Sequence, residues 1–232
     1  MGRPWIIAHN GGLETSAAGS LGSFAAAVSS GCDGIELDVR RLGDGTLVVA
    51  HDATVRDVRL SDLDVGALRR LEGRPPLLEE VLELFGDSQV CNLELKESGY
   101  VEEVLALAKG FVREELLLLS SFSDTIVTAI RQLSSGVRTG LVVSRSGDPV
   151  PSRRDLGARV GATGVDFVCV RASLIAHGVL EHAVALSVPA LVWTVNDAAQ
   201  LAELLSDERV TGVFTDFPVR ALEVRRALQT WR

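Results

Sequence analysis

The sequence predicts an α/β fold, a (β/α)8 TIM barrel with a short hairpin after the second barrel strand. Three observations point there. Short β-rich apolar runs alternate along the chain with segments of helical periodicity and capping signals, as a parallel sheet with crossover helices requires. The 232 residues hold about eight such pairs, in a length close to the ~250 residues typical of this barrel. The apolar runs also end in polar side chains, and barrel enzymes gather their reactive groups at the carboxyl ends of strands.

The first run, Trp5–His9, leads into the helix Ser20–Ser30, and the second, Gly34–Val39, follows directly. Gly43-Asp44-Gly45 is a turn signal between Glu36–Arg41 and the apolar run Thr46–Ala50, so a hairpin follows the second strand and His51 stands at its end. Pro75-Pro76 reads as a turn opening the helix Leu77–Phe85, not as a domain boundary. The remaining strands are Val90–Lys96, Leu116–Ser121, Arg138–Ser144, Asp166–Val170, Ala190–Val195 and Gly212–Asp216. Their helices are Val101–Arg113, Ser123–Leu133, Arg154–Gly161, Leu174–Leu186, Ala198–Leu205 and Val219–Thr230. No linker or shift in composition divides the chain, so residues 1–232 are expected to form a single domain. A doubly wound open sheet would bring a Gly-rich phosphate loop after its first strand, and His9-Asn10-Gly11-Gly12 is not that fingerprint.

Composition narrows the function classes. Hydrophobic residues at 47% and charged residues at 23% exclude disorder, collagen-like repeats and coiled coil. A net charge of −8 gives no general attraction to nucleic acid or to an anionic membrane, so a phosphate-bearing substrate has to be captured locally. Cys32, Cys91 and Cys169 lie far apart without C-x-x-C spacing, which argues against zinc and against a disulfide framework. The apolar stretch after Pro4 is too short for a signal peptide and no later run spans a bilayer, so a soluble cytoplasmic protein without stable membrane association is expected.

The strand ends carry His9, Glu36 and Asp38, Glu94 and Lys96, Ser121, Ser144, Arg171, Asn196 and Asp216. Glu36 and Asp38 are two apart, so a strand turns both to one face and Ile35, Leu37 and Val39 to the other. Alternation alone fits a solvated face, or ion pairs with Arg40 or Arg41, as well as it fits a site. Adding Glu94 on another strand favours a divalent cation, Mg2+ or Ca2+, because converging carboxylates repel one another and offer hard oxygen ligands. Lys96 is one of two lysines, the other being Lys109. Beside carboxylates it fits a structural ion pair or contact with a substrate phosphate. A single strand-end histidine is usually a satisfied buried imidazole. Two of them, His9 and His51, flanking an acidic cluster fit an acid–base pair near neutral pH, whereas His177 and His182 fall in a helical stretch and read as surface groups.

The order of these motifs resembles the glycerophosphodiester phosphodiesterases over nearly the whole chain, and more distantly the sphingomyelinase D-like phospholipases. The likeness lies in Ala8-His9-Asn10-Gly11, Gly31-Cys32-Asp33-Gly34-Ile35-Glu36-Leu37-Asp38-Val39, Asp44-Gly45 through His51-Asp52, Pro76 to Leu82 and Asn92-Leu93-Glu94-Leu95-Lys96. It continues in Ser121-Phe122-Ser123, Val192-Trp193-Thr194-Val195-Asn196 and Thr215-Asp216-Phe217-Pro218. The resemblance implies a metal at Glu36, Asp38 and Glu94, His9 and His51 as general acid and base, and a small-molecule phosphodiester bound by Asn10, Lys96 and Trp193. The implied reaction is hydrolysis of glycerophosphodiesters to glycerol 3-phosphate and an alcohol. Trp193 is similar to the family's aromatic wall, and an inward core tryptophan is its structural alternative.

Three departures stand out. The family usually has His-Arg-Gly where this chain has His9-Asn10-Gly11, so a guanidinium is missing beside the first histidine. The family's Pro-Glu-Asn-Thr is replaced by Ala17-Ala18-Gly19-Ser20, with Glu14 as a displaced substitute. The segment from Asp52 to Pro75 is short for a cap, which implies an open mouth. The competing functions are a barrel that binds phosphate compounds without turnover and a lysophospholipid-cleaving phospholipase D-like enzyme of the same fold. A Schiff-base aldolase using Lys96 is disfavoured, because Glu94 opposes loss of its proton.

Overall fold

The alternation of the sequence is satisfied by parallel strands that close on themselves. The computed structural model describes residues 3–14, 16–86, 88–143 and 147–230, so Ser144 lies outside the described residues. In chain order the elements are β1 (Trp5–Ala8), α1 (Leu21–Ser30), β2 (Gly34–Arg41), β3 (Leu47–Val49), β4 (Thr54–Val55), β5 (Val58–Arg59), α2 (Val65–Arg69), α3 (Leu78–Leu82), β6 (Val90–Leu95) and α4 (Val101–Ala108). They continue with β7 (Leu117–Ser121), α5 (Asp124–Leu133), β8 (Arg138–Val143), α6 (Arg153–Thr163), β9 (Phe167–Arg171), α7 (Val179–Ala185), β10 (Ala190–Trp193), α8 (Ala198–Ser206), β11 (Val210–Thr215) and α9 (Pro218–Thr230). The sheet runs β1-β11-β10-β9-β8-β7-β6-β2, and the pairing of β1 with β2 closes the (β/α)8 barrel.

Helix starts follow local chemistry. Ser20, Ser123, Ser152 and Asp197 each accept a backbone N–H of the first turn, which satisfies a donor the helix itself leaves open. The stretch Leu174–Leu186, expected as one helix, is broken: Gly178 sits at φ 77° between a 3-10 segment, Ala172–His177, and α7. A left-handed residue ends one helical run and re-aims the next.

Strand alternation sorts the core into two layers. Ile35, Leu37 and Val39 of β2 join the apolar layer under the helices. Inside the barrel Ile7, Val90, Leu118, Val142, Phe167, Cys169, Leu191 and Phe214 pack on the axis, and the polar strand ends stand above that plug. Cys32, Cys91 and Cys169 are buried free thiols.

β2 outruns its neighbour. Gly34 and Ile35 abut β1, while Val39, Arg40 and Arg41 pair antiparallel with β3. The expected hairpin therefore leans on the freed upper edge of β2, and the Ala50 N–H donates to the Asp38 carbonyl at 2.9 Å, which carries His51 back to the mouth. The segment from Asp52 to Pro75, short as it is, folds as β4, β5 and α2, with Leu60 and Leu68 packed on Leu42, Val48 and Leu77. Among the described residues no helix is long and apolar enough to cross a membrane.

Candidate active site

A cavity of about 650 Å3 opens at the carboxyl ends of the strands. It is lined by His9, Glu36, Asp38, Arg40, His51, Asp52, Asn92, Glu94, Lys96, Phe122, Arg171 and Trp193 among others. The expected catalytic, metal and substrate residues, save Asn10, thus share one wall-to-wall space.

Glu36, Asp38 and Glu94 each offer an oxygen within 4.8 Å of the others. Glu36 and Asp38 are 3% and 1% exposed, so neither is a solvated strand face. Arg40 pairs with Glu97 and Arg41 with Glu103, so neither neutralises the pair on β2. Lys96 does so in part, with Nζ 2.7 Å from Asp38 Oδ1 and in contact with Glu94. Burial and the charge of Asp38 push Glu36 up to about 8. Burial also raises Glu94, against the pull of Lys96, whereas at Asp38 burial is outweighed by Lys96 and its carboxyl is held below the usual range. Two buried carboxylates and a third that is partly exposed, facing one ammonium, leave negative charge uncompensated, and this hard-oxygen donor set fits a divalent cation.

His9 begins a 3-10 turn directly after β1. Its Nδ1 donates to Asp216 Oδ1 at 2.7 Å, and Asp216 Oδ2 accepts from Asn196 Nδ2 at 2.6 Å. This leaves Nε2 3.9 Å from Glu36. Burial opposes the imidazolium, but the Asp216 hydrogen bond and the Glu36 charge outweigh it and raise His9 to about 9. Asn10 adopts φ 47°, a left-handed conformation that asparagine tolerates. Its N–H donates to Glu36 Oε2 and its side-chain amide to Asp38 Oδ2, each at 3.0 Å. The expected phosphate donor is thereby committed to two carboxylates.

His51 sits on the rim, its Nδ1 donating to Asp52 Oδ1 at 2.8 Å, and Arg40 donates to the His51 carbonyl through Nε and Nη2. Trp193 packs edge-on against Phe122 with ring centroids 5.9 Å apart, and its Nε1 donates to the Cys169 carbonyl at 3.0 Å. Glu14, read as a substitute carboxylate, is instead a helix cap: it accepts the Val219 and Arg220 N–H groups at 2.9 and 3.0 Å, so the first turn of α9 consumes both its oxygens. His177 and His182 lie outside the cavity. The supporting groups Asp216, Asn196 and Arg40 were visible only as polar strand ends or as a basic neighbour, because nothing local in the sequence says which histidine each one holds.

The glycerophosphoryl diester phosphodiesterase family model matches residues 9–220. A glycerophosphodiester phosphodiesterase of Bacillus altitudinis is 30% identical over 253 residues, covering 97% of this chain and 99% of its own. A lysophospholipase D of Rattus norvegicus is 26% identical over 267 residues, covering 94% of this chain and 84% of its own. A solved phosphodiesterase of Oleispira antarctica in complex with the product sn-glycerol-3-phosphate matches with a TM-score of 0.82 at 24% identity, covering 96% of each chain, a likeness of fold.

Proposed function

Because the chain belongs to the glycerophosphoryl diester phosphodiesterase family, we propose that it hydrolyses small glycerophosphodiesters, such as glycerophosphocholine or glycerophosphoethanolamine, to glycerol 3-phosphate and an alcohol with one bound divalent cation. The observation that supports this most is a single one: both histidines and all three carboxylates line the same cavity. Glu36, Asp38 and Glu94 would hold Mg2+ or Ca2+, which supplies charge neutralisation at the phosphoryl oxygens when bound. Lys96, held between Asp38 and Glu94, adds a second positive charge on the same side.

His9 and His51 each have Nδ1 engaged by a carboxylate, which orients Nε2 for proton exchange. One imidazole takes the proton of the attacking hydroxyl and the other gives a proton to the departing alcohol oxygen. Attack by water yields glycerol 3-phosphate directly, whereas attack by the substrate's own glycerol hydroxyl first gives a cyclic phosphate that water then opens to glycerol 3-phosphate. The phosphorus–oxygen bond to the alcohol breaks as the new one forms. Trp193 and Phe122 flank the organic part of the diester. Asn10 steadies Asp38 and Glu36. The buried free thiols suit the reducing cytoplasm.

Hydrolysis of glycerophosphocholine, measured with and without chelator and beside His9→Ala and Glu36→Ala, tests this reading. The wild type turns over, and chelation or either substitution removes about 10²-fold or more of the activity. A wild type that binds glycerol 3-phosphate yet cleaves no diester makes the protein a binding barrel instead. Lysophosphatidylcholine, tried alongside, reports whether a long acyl chain enters the open mouth.

A further inference from the structure

The cations facing the cavity are unequal in their commitments. Lys96 lies between Asp38 and Glu94, Arg40 is taken by Glu97 and the His51 carbonyl, and His9 is held by Asp216. Arg171 differs from all three. Its Nε is buried with no hydrogen-bond partner, and among the described residues no carboxylate pairs with its guanidinium. A buried donor left open is costly unless something else comes to accept from it.

Its placement says where that acceptor sits. Arg171 ends β9 with the same inward alternation as Phe167 and Cys169, which pack inside the barrel. It stands in register beside Trp193. β9 is reached from β2 through β6, β7 and β8 one way and through β1, β11 and β10 the other, so Arg171 faces the Glu36–Asp38 pair from the opposite wall. Asn10, uncharged and bonded to Asp38, supplies no such group on the near wall.

We propose that Arg171 is the guanidinium that grips the non-bridging phosphoryl oxygens of the substrate, pinning the diester between β9 and the carboxylate cluster. The inference rests on the phosphodiesterase reading above. A planar fork matches phosphate oxygens through two parallel N–H donors, which a lysine ammonium does not reproduce. Because the contact is to the group every substrate shares, its loss is felt equally whatever the alcohol. Because the same oxygens persist in glycerol 3-phosphate, product binding weakens with it.

The test compares wild type, Arg171→Met and Arg171→Lys on glycerophosphocholine and glycerophosphoglycerol, with competitive inhibition by glycerol 3-phosphate and a thermal melt for each. Arg171→Met is expected to lose about 10- to 100-fold in kcat/KM on both substrates. Its inhibition constant for glycerol 3-phosphate rises in similar proportion, and Arg171→Lys recovers only part of the loss. A loss under about 3-fold on both substrates, or one confined to a single head group, overturns the assignment. Should Arg171→Met unfold, Arg171→Gln, closer in length and polarity, repeats the comparison and decides it. A wild type inactive on every diester sinks the parent reading instead, which the variants alone cannot do.

Discussion

His9 and Asp216, 207 residues apart in the chain, meet at 2.7 Å across the neighbouring carboxyl ends of β1 and β11. The imidazole directly follows the first strand of the chain and the carboxylate the last, so the parallel pairing of β1 with β11 assembles the pair. Asn196, from the loop after β10, fixes the other oxygen of Asp216.

Asp216→Asn is expected to lower kcat on glycerophosphocholine by about 10- to 10³-fold while the melting temperature changes little, since the size is kept and the orienting charge is lost. Steady-state kinetics beside a melt checks this. A variant with wild-type kcat would show that His9 needs no carboxylate behind it.

Adding Mg2+ or Ca2+ at 100 times its Kd is expected to stabilise the fold by about 2.7 kcal/mol. In a chain of this size that raises the melting temperature by about 5–10 °C. Glu36→Gln combined with Glu94→Gln should abolish the rise. Equal shifts in wild type and double variant would place the cation elsewhere.

Glu14→Ala removes the acceptor for two N–H groups of α9 and is expected to cost about 0.5–2 kcal/mol in denaturant unfolding. Its kcat/KM should stay within two-fold of wild type. A larger loss of activity without loss of stability would return Glu14 to the site.

Glu80 accepts from both Arg74 Nη atoms at 2.9 and 2.7 Å and from the Leu77 N–H at 2.8 Å. The Arg74 hydrogen bonds hold its carboxyl below the ordinary 4.5 despite partial burial. With the folded value depressed, the stabilisation is fully present above about pH 4.5 and is lost as pH falls through the lower, folded value. Glu80→Gln should cost about 1 kcal/mol at pH 7, and the gap to wild type should narrow as pH falls below about 4.5 in unfolding titrations.

Much of this was legible in the sequence because strand chemistry is local. Ile35-Glu36-Leu37-Asp38-Val39 announces both its pleat and its two faces, and the Gly43-Asp44-Gly45 turn announces β3. The eight barrel strands follow the apolar runs to within a residue or two at most ends. Tertiary partnership was hidden: Glu14 reads as a free acid until α9 places its amides beside it, and nothing next to Asn10 in the chain says that its amide meets Asp38 of β2. Gly178 carries no breaking signal stronger than that of Gly157 or Gly161, which α6 absorbs. Only the packing of α7 decides between them.

The overhang of β2 has an evolutionary corollary. The residues that close the barrel and those that carry its hairpin occupy separate stretches of one strand edge, and the excursion between Asp52 and Pro75 shares a small apolar kernel with Leu42, Val48 and Leu77, apart from the barrel core. Beyond Asp52 and Ala53, which line the cavity, that excursion is an interchangeable vestibule: nature or a designer could lengthen, trim or swap it to admit a different alcohol while keeping the reaction chamber beneath.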